Sequence, residues 1–420
     1  MHLHPTVMPK LCDILHYAGE CHLAPVSTWA DRIRNQPKYR WTGPLHYIGA
    51  VDDYPSATCA FPGPQGWEGR THINVLSAIR NTTNVLQEFE GLRKAGVQMD
   101  TEPSYIQDAL KFLIHFVGDM HMPLHLTGRN RGGNGDKVSF DGRTTSAYHI
   151  SLFSFPSCLV YFISFLRLTN QISTPIPDLH TVWDSLLISE RIRTLPRNYT
   201  QPLPLPDVEF YLRDTIYDPY IRRLVWEGLL GKWQDELDAW LDCPSSSSSD
   251  QHQHQPQSAP TSTWQYVFSL LTPVSKPKGE NESEDGLGVD DDTLCPYAWA
   301  KPIHQLNCQV VFPKELDKAP FNRLSSHSFK PRTFDHEHAH SDQGCDCGDA
   351  SEDAYDAFMS LTRKKSPYLE LYTPDYVGLV KEQWIVEKLL TQAGVRLGAV
   401  LNWIFADLEE DEIRRRHLTL

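Results

Sequence analysis

Leu113-Ile-His-Phe-Val-Gly-Asp-Met-His-Met-Pro-Leu-His125 is the stretch on which the reading of this chain turns. It closes a longer segment, Tyr105 to Met120, in which Leu110, Leu113, Ile114 and Val117 recur at three- and four-residue spacing, the period of a buried helical face. On that helix His115 and Asp119 stand four residues apart and point the same way. Pro123 ends or kinks the helix, and His125 falls just past the break at a different angle. A carboxylate flanked by two imidazoles suits a zinc cluster, because imidazole nitrogen and carboxylate oxygen are ordinary zinc ligands and a carboxylate can bridge two ions. The plain alternative is a helix with polar groups near its end. Those groups would still have to be satisfied on an otherwise apolar helix.

Working outward, Leu179-His-Thr-Val-Trp-Asp184 again sets His180 and Asp184 at helical i, i+4 spacing. Alone it reads equally as the start of a surface helix with an ion pair. Trp29-Ala-Asp31 and Leu45-His-Tyr-Ile48 are blander still: a capped helix end and a core histidine. Further helical patterning runs through Val208 to Leu241, around Gly228 and Gly231. It returns in Leu379 to Leu408, with Trp384, Val386, Leu389, Leu390, Val395 and Leu397 on apolar faces. Few alternating stretches look like strands, so the expected class is all-α.

The 420 residues carry 53 Asp+Glu against 39 Lys+Arg, a formal charge of −14, with 40% hydrophobic residues. That composition supports a sizeable core and excludes wholesale disorder. It also argues against a nucleic-acid binder working through a broad basic face, so a phosphate-handling protein of this charge needs bound cations. The most apolar run, Leu152 to Leu168, contains Pro156 and falls short of the ~20 clean apolar residues of a membrane span. Residues 244–292 and 322–353 read as low-complexity or mobile insertions, the first with an apolar island at Trp264 to Leu271. The nine cysteines form no C-x-x-C pair, and Cys345-Asp-Cys347 is too tight for a typical structural zinc pair. Sequons begin at Asn81, Asn198 and Asn281. Met1-His-Leu-His-Pro lacks the features of a signal peptide.

Taken in order, Trp-Ala-Asp at 29–31, Leu-His-Tyr-Ile at 45–48 and the His115 to His125 block form a series. Gly132-Gly-Asn134, Phe140-Asp-Gly142 and Leu-His-Thr-Val-Trp-Asp at 179–184 complete it. The series resembles the zinc-dependent single-strand nuclease family of fungi and plants (nuclease S-one/P-one type), whose fold is shared with the bacterial zinc phospholipases C. The resemblance covers most of 10–142, 179–243 and 293–420. It implies one all-α nuclease domain over 10–420, interrupted at 143–178, 244–292 and 322–353. It also implies a three-zinc site in which Asp31, His46 and His115 hold the first ion and Asp119 bridges to another. His125, His180 and Asp184 would form a further pocket. The family closes its third pocket with an N-terminal Trp and a His five residues later. This chain has no such motif, and His2 and His4 are weak stand-ins, so two zincs are expected here.

The resemblance further implies secretion and hydrolysis of phosphodiester bonds in single-stranded DNA and RNA to 5′-phosphate products. Metal-activated water would be the nucleophile, with 3′-nucleotidase activity alongside. Substrates would be nucleic acids and nucleotides, with no membrane or protein partner. Asp31 and Arg34 match catalytic positions, Arg34 contacting the phosphoryl group. Tyr47 matches an aromatic that stacks on a base; core packing is its bland reading. Where the family carries an Asp two residues later, this chain has Gly49, with Asp52 and Asp53 close by but out of register. Cys59 and Cys308 match a family disulfide, and Cys243 with Cys295 would staple the low-complexity insertion. Such bonds imply an oxidising compartment. Arg143 to Asp178, nearly uncharged, is expected to be an unspliced intron, and the start codon to lie downstream of the true one. Asp335 to His340, His121 and His149 are left outside the site. Within enzymes the alternative is a phospholipase C acting through the same metals. The non-enzyme alternative is an inactive, truncated family member.

Overall fold

In the computed structural model the described residues are 3–17, 21–97, 104–141, 176–244, 287–323 and 366–407. Their centre is the Ser104–Met120 helix, in which Leu110, Phe112, Leu113, Phe116 and Val117 are all buried. A helix apolar on most sides has to be wrapped by others. The Val75–Lys94 helix lies along it, started by the Asn74 side chain, which accepts from the Ser77 amide, and ended by Arg93 and Lys94. The Ile385–Phe405 helix packs against both, and Val7–Ile14 packs on that helix in turn. Pro296–Leu306 adds a further wall beside Val75–Lys94. Among the described residues the only sheet is a parallel pair, Val138–Ser139 with Leu369–Glu370. The all-α expectation therefore holds. No described helix is long and apolar enough to cross a membrane. The Leu152 to Leu168 run lies outside the described residues, as do Trp264 to Leu271, His149 and Asp335 to His340.

Several details differ from the expectation. The C-terminal pattern is not one helix: Leu379–Glu382 ends at Trp384, which takes φ +56°, and Ile385–Phe405 restarts beyond it. The Trp384 ring packs edge-on against Trp233 and under the Arg223 guanidinium, contacts that select this left-handed break. Leu390, assigned to an apolar face, is exposed. The 208–241 region breaks into Pro206–Glu209, Asp218–Arg223, a widened turn at Leu224–Lys232 and Leu237–Leu241. The Asn81 sequon is a misreading in this fold. Asn81, Thr82 and Thr83 are buried in the Val75–Lys94 helix, whereas Asn198 is exposed.

Two insert boundaries also need correction. Residues 287–292 belong to the body, because Leu287 and Val289 are buried and the acidic run serves the fold. Asp290 accepts the amides of Tyr297 and Ala298 at 2.8 and 2.9 Å, starting the Pro296–Leu306 helix, and Asp291 pairs with the buried Arg80 at 2.7 Å. Likewise Asp178 is structural: its side chain accepts from the Thr181 amide and binds Lys137 at 2.9 Å. The Val138 amide donates to the Pro177 carbonyl, so the chain on either side of 142–175 meets at one place. Cys59–Cys308 and Cys243–Cys295 are bonded as expected, and a third bridge, Cys12–Cys21, was not anticipated.

Phe116 is fully buried, stacks on Phe112 and sets its ring edge-on to His46 at 5.2 Å. Replacing it with Ala is expected to cost about 3–5 kcal/mol in chemical unfolding. A loss below about 1 kcal/mol would contradict its place in the core.

Candidate metal centre

The ligand-type side chains come from several elements, and apolar contacts aim them. Trp29 sits edge-on to Phe112 at 5.1 Å and to Tyr39 at 5.5 Å, which docks the short Trp29–Ile33 helix and places Asp31. His46 closes the Arg40–His46 turn, its ring against Phe116. His115 and Asp119 come from the last turns of the central helix. Pro123 starts a new short turn, Pro123–Leu126, that swings His125 back toward them. His180 and Asp184 enter from Leu179–Thr181 and the widened turn Val182–Leu186 that follows it.

Asp119 is the junction. One carboxylate oxygen lies 2.9 Å from His46 Nδ1 and 3.1 Å from His115 Nε2, and the other lies 3.4 Å from His125 Nδ1. Asp31 approaches the first pair at 3.9 and 3.7 Å. His180 Nε2 is 4.0 Å from Asp184, and the His180 ring stacks on His125 with centroids 5.1 Å apart. Two groups result, Asp31–His46–His115 and His125–His180–Asp184, each with ligand atoms within 4.8 Å of one another. All seven residues named from the sequence are thus brought together.

The charges respond to this crowding. Burial alone would raise the Asp119 carboxyl, but the imidazoles of His125, His115 and His46 outweigh it and hold the group well below the usual carboxylate range. Burial would lower His115, yet Asp119, the Ser27 carbonyl and Asp31 push it up to about 9. His180 is lowered by burial and by His125. A cation entering between these groups would take over the role of the His115 proton.

The donor set fits zinc. Two imidazoles with carboxylates are ordinary ligands for that ion. The tautomers are arranged for it as well. His115 Nδ1 is 2.5 Å from the Ser27 carbonyl, His125 Nδ1 is 2.8 Å from that of His46, and His180 Nδ1 is 2.7 Å from that of Gly132. A backbone acceptor on Nδ1–H orients the ring and leaves Nε2 as the metal-facing lone pair. His46 differs in turning Nδ1 to the group, 2.9 Å from Asp119 and 3.1 Å from His115 Nε2. One side of the centre is open: the side chains of Asp31 and Asp184 are 48% and 53% exposed.

Other candidates sort clearly. Arg34 pairs with Asp31 at 3.3 Å on the open side. Tyr47 is 54% exposed, which removes the core-packing reading. His121 is turned away, its ring between the Val117 carbonyl and Arg396, and burial with that guanidinium lowers it to about 3. His4 binds Thr6 and Asn402 and belongs to neither metal-type group of the described residues; His2 lies outside the described residues. The sequence analysis missed the carbonyls that orient the rings. The Gly132-Gly133 pair, both at positive φ, was a visible signal for one of them, whereas nothing marked Ser27.

Fold and site together define an all-α protein with a two-pocket His/Asp centre joined by a shared carboxylate. Residues 1–154 match the S1/P1 Nuclease family model, so this part of the chain is similar to that family. Nuclease S1 of Aspergillus oryzae is 35% identical over 139 residues, 33% of this chain and 43% of that protein. Nuclease P1 of Penicillium citrinum is 33% identical over 142 residues, 34% of this chain and 46% of that protein. Endonuclease 1 of Arabidopsis thaliana is 28% identical over 226 residues, 53% of this chain and 54% of that protein. The chain therefore spans about half the length of the relatives it matches. His180 and Asp184 lie beyond the residues matched by the family model, and the fold brings them beside His125.

Gly132 sits at φ +61°, and a Cβ there would lie 2.5 Å from the Leu124 carbonyl oxygen. Gly132→Ala must therefore shift the carbonyl that holds His180. Elemental analysis of zinc-titrated protein should show loss of the ion held by His125, His180 and Asp184, with the Asp31 group still loaded. An unchanged zinc content would mean that Gly132 does not set that pocket.

Proposed function

We propose that this chain is a secreted, zinc-dependent endonuclease. It hydrolyses phosphodiester bonds of single-stranded DNA and RNA to 5′-phosphate products and removes 3′-phosphates from nucleotides. The observation that carries the reading is the gathering of Asp31, His46 and His115 in one group and of His125, His180 and Asp184 in another, with Asp119 in contact with histidines of both. When bound, zinc supplies Lewis acidity and lowers the pKa of water toward neutrality. These seven residues provide for two ions. In a chain of formal charge −14, those cations are the natural source of attraction for a phosphate.

The remaining roles fall to the chain's own side chains. Asp31 is half exposed and can serve both as a ligand and as an acceptor of a proton from the attacking water. Arg34, held by Asp31, offers a guanidinium whose planar donors match phosphoryl oxygens and stay charged throughout the reaction. The exposed Tyr47 ring, next to His46, offers a base-stacking platform indifferent to sequence. That ring favours nucleic acids over the lipid headgroups of a phospholipase. Three disulfides support an oxidising compartment. The organisation is one nuclease domain. The chain meets itself around Lys137 and Asp178, which supports reading 142–175 as an insertion whose removal leaves its neighbours in place.

The test is Asp119→Asn. A neutral amide bridges two cations poorly, so cleavage of single-stranded DNA by the zinc-loaded protein should fall below detection, while the wild-type chain cleaves. Activity unchanged in the variant would refute the assignment. A wild-type chain that binds zinc without cleaving would mark an inactive family member.

A further inference from the structure

Tyr47 opens a short extended segment whose alternation is plain. Ile48 and Ala50 are buried, so Tyr47 and Gly49 belong to the opposite, outer face. Ala50 pairs antiparallel with Trp67, and the Glu68 amide donates to the Gly49 carbonyl at 2.7 Å. Gly49 and Glu68 therefore stand opposite one another, and residues so paired share a face. That face is shaped for the Glu68 carboxylate. A Cβ on Gly49 would lie 2.7 Å from the Gly128 nitrogen and 3.0 Å from Glu68 Oε2, and a Cβ on Gly128 would run into the same carboxylate. Two glycines thus leave the room that Glu68 fills.

Of the neighbouring acids, Asp53 is otherwise engaged. Asp53 is buried, accepts from Thr127 and the Ala60 amide, and lies 3.0 Å from His304. Asp52 lies against Gly63. Glu68, by contrast, is exposed, and its titration reflects only burial and the charge of Asp53. The next residues, Gly69 to Ile73, line a cavity of about 410 Å³. The Ile48 amide donates to the carbonyl of His125 and the Val75 amide to that of Tyr47, so this face is tied directly to the metal centre.

We propose that Glu68 reads the edge of the base stacked on Tyr47 and selects guanine. Among the bases, guanine alone presents two adjacent donors on its Watson–Crick edge, N1–H and N2–H, and these match the two oxygens of one carboxylate. Adenine and cytosine set an acceptor beside their amino group, and uracil flanks its single N–H with two carbonyls. Each of those would meet the carboxylate with a repulsive atom.

This inference rests on the nucleotide-binding part of the proposed function, and the test separates the two. Guanosine and uridine 3′-monophosphates are titrated calorimetrically into the zinc-loaded full chain, wild type and Glu68→Gln. Hydrolysis of both is measured in parallel. The expected result is tighter binding of the guanosine nucleotide by about tenfold or more. That preference should be lost in Glu68→Gln, through KM rather than kcat, with the uridine nucleotide little affected. Hydrolysis without base preference, or a preference that survives the substitution, overturns the role of Glu68 and leaves the hydrolytic reading intact. A guanine preference lost in the variant, without hydrolysis in either protein, upholds Glu68 and overturns the hydrolytic reading. Failure of the wild type to bind either nucleotide overturns both.

Discussion

A single carboxylate, Asp119, is the constraint from which the rest of the structure follows. It sits at the end of the largely buried Ser104–Met120 helix, where an isolated charge would be prohibitively costly. Three imidazoles from three different elements repay that cost, and each must arrive within about 3.5 Å of it. The turn that carries His46, the proline break that returns His125 and the two long helices beneath them all answer to that demand. The candidate metal site and fold stability therefore meet at the same atoms. The residues that would hold a cation are those whose charges would be hardest to bury without one.

Around this junction the structure divides labour between apolar and polar contacts. Aromatic edges, Phe116 on His46 and Trp29 on Phe112, set where each element lies. Backbone carbonyls then set how each ring is turned. Ser27, His46 and Gly132 each take the Nδ1 side of one imidazole. Such acceptors cost the protein no extra side chain, and they leave one flank open to solvent. There Asp31, Arg34 and Asp184 remain accessible, and Tyr47 adds an exposed ring one residue from a ligand.

The helical part of the candidate site was visible in the sequence because helical spacing is a local property, and the resemblance added Asp31 and His46. His115 with Asp119 and His180 with Asp184 follow from a four-residue offset, and Pro123 announces the change of direction before His125. Other features were not local. The acids at 290–291 looked like the tail of a linker, yet one starts a helix and the other neutralises Arg80 across the fold. Trp384 looked like a face residue of a continuous helix, yet packing against Trp233 and Arg223 turns the chain at that position. Asn81 met the pattern of a glycosylation acceptor, but burial in the Val75–Lys94 helix overrides a three-residue motif.

What the sequence determined by itself is the class and the cast. Its helical periodicity dictates an all-α core, and its ordered His and Asp motifs, through their resemblance to a nuclease family, name the candidate metal ligands. The periodicity depends on contacts within a few residues, where the geometry of a helix is the same in any protein. Tertiary structure alone decided which carbonyl orients each imidazole and that Cys12 bonds Cys21. It also decided that Asp53 is spent inside the core while Glu68 stands over Gly49 and Gly128. Those outcomes depend on which surfaces meet across long separations, and only the packing of the whole chain supplies that information.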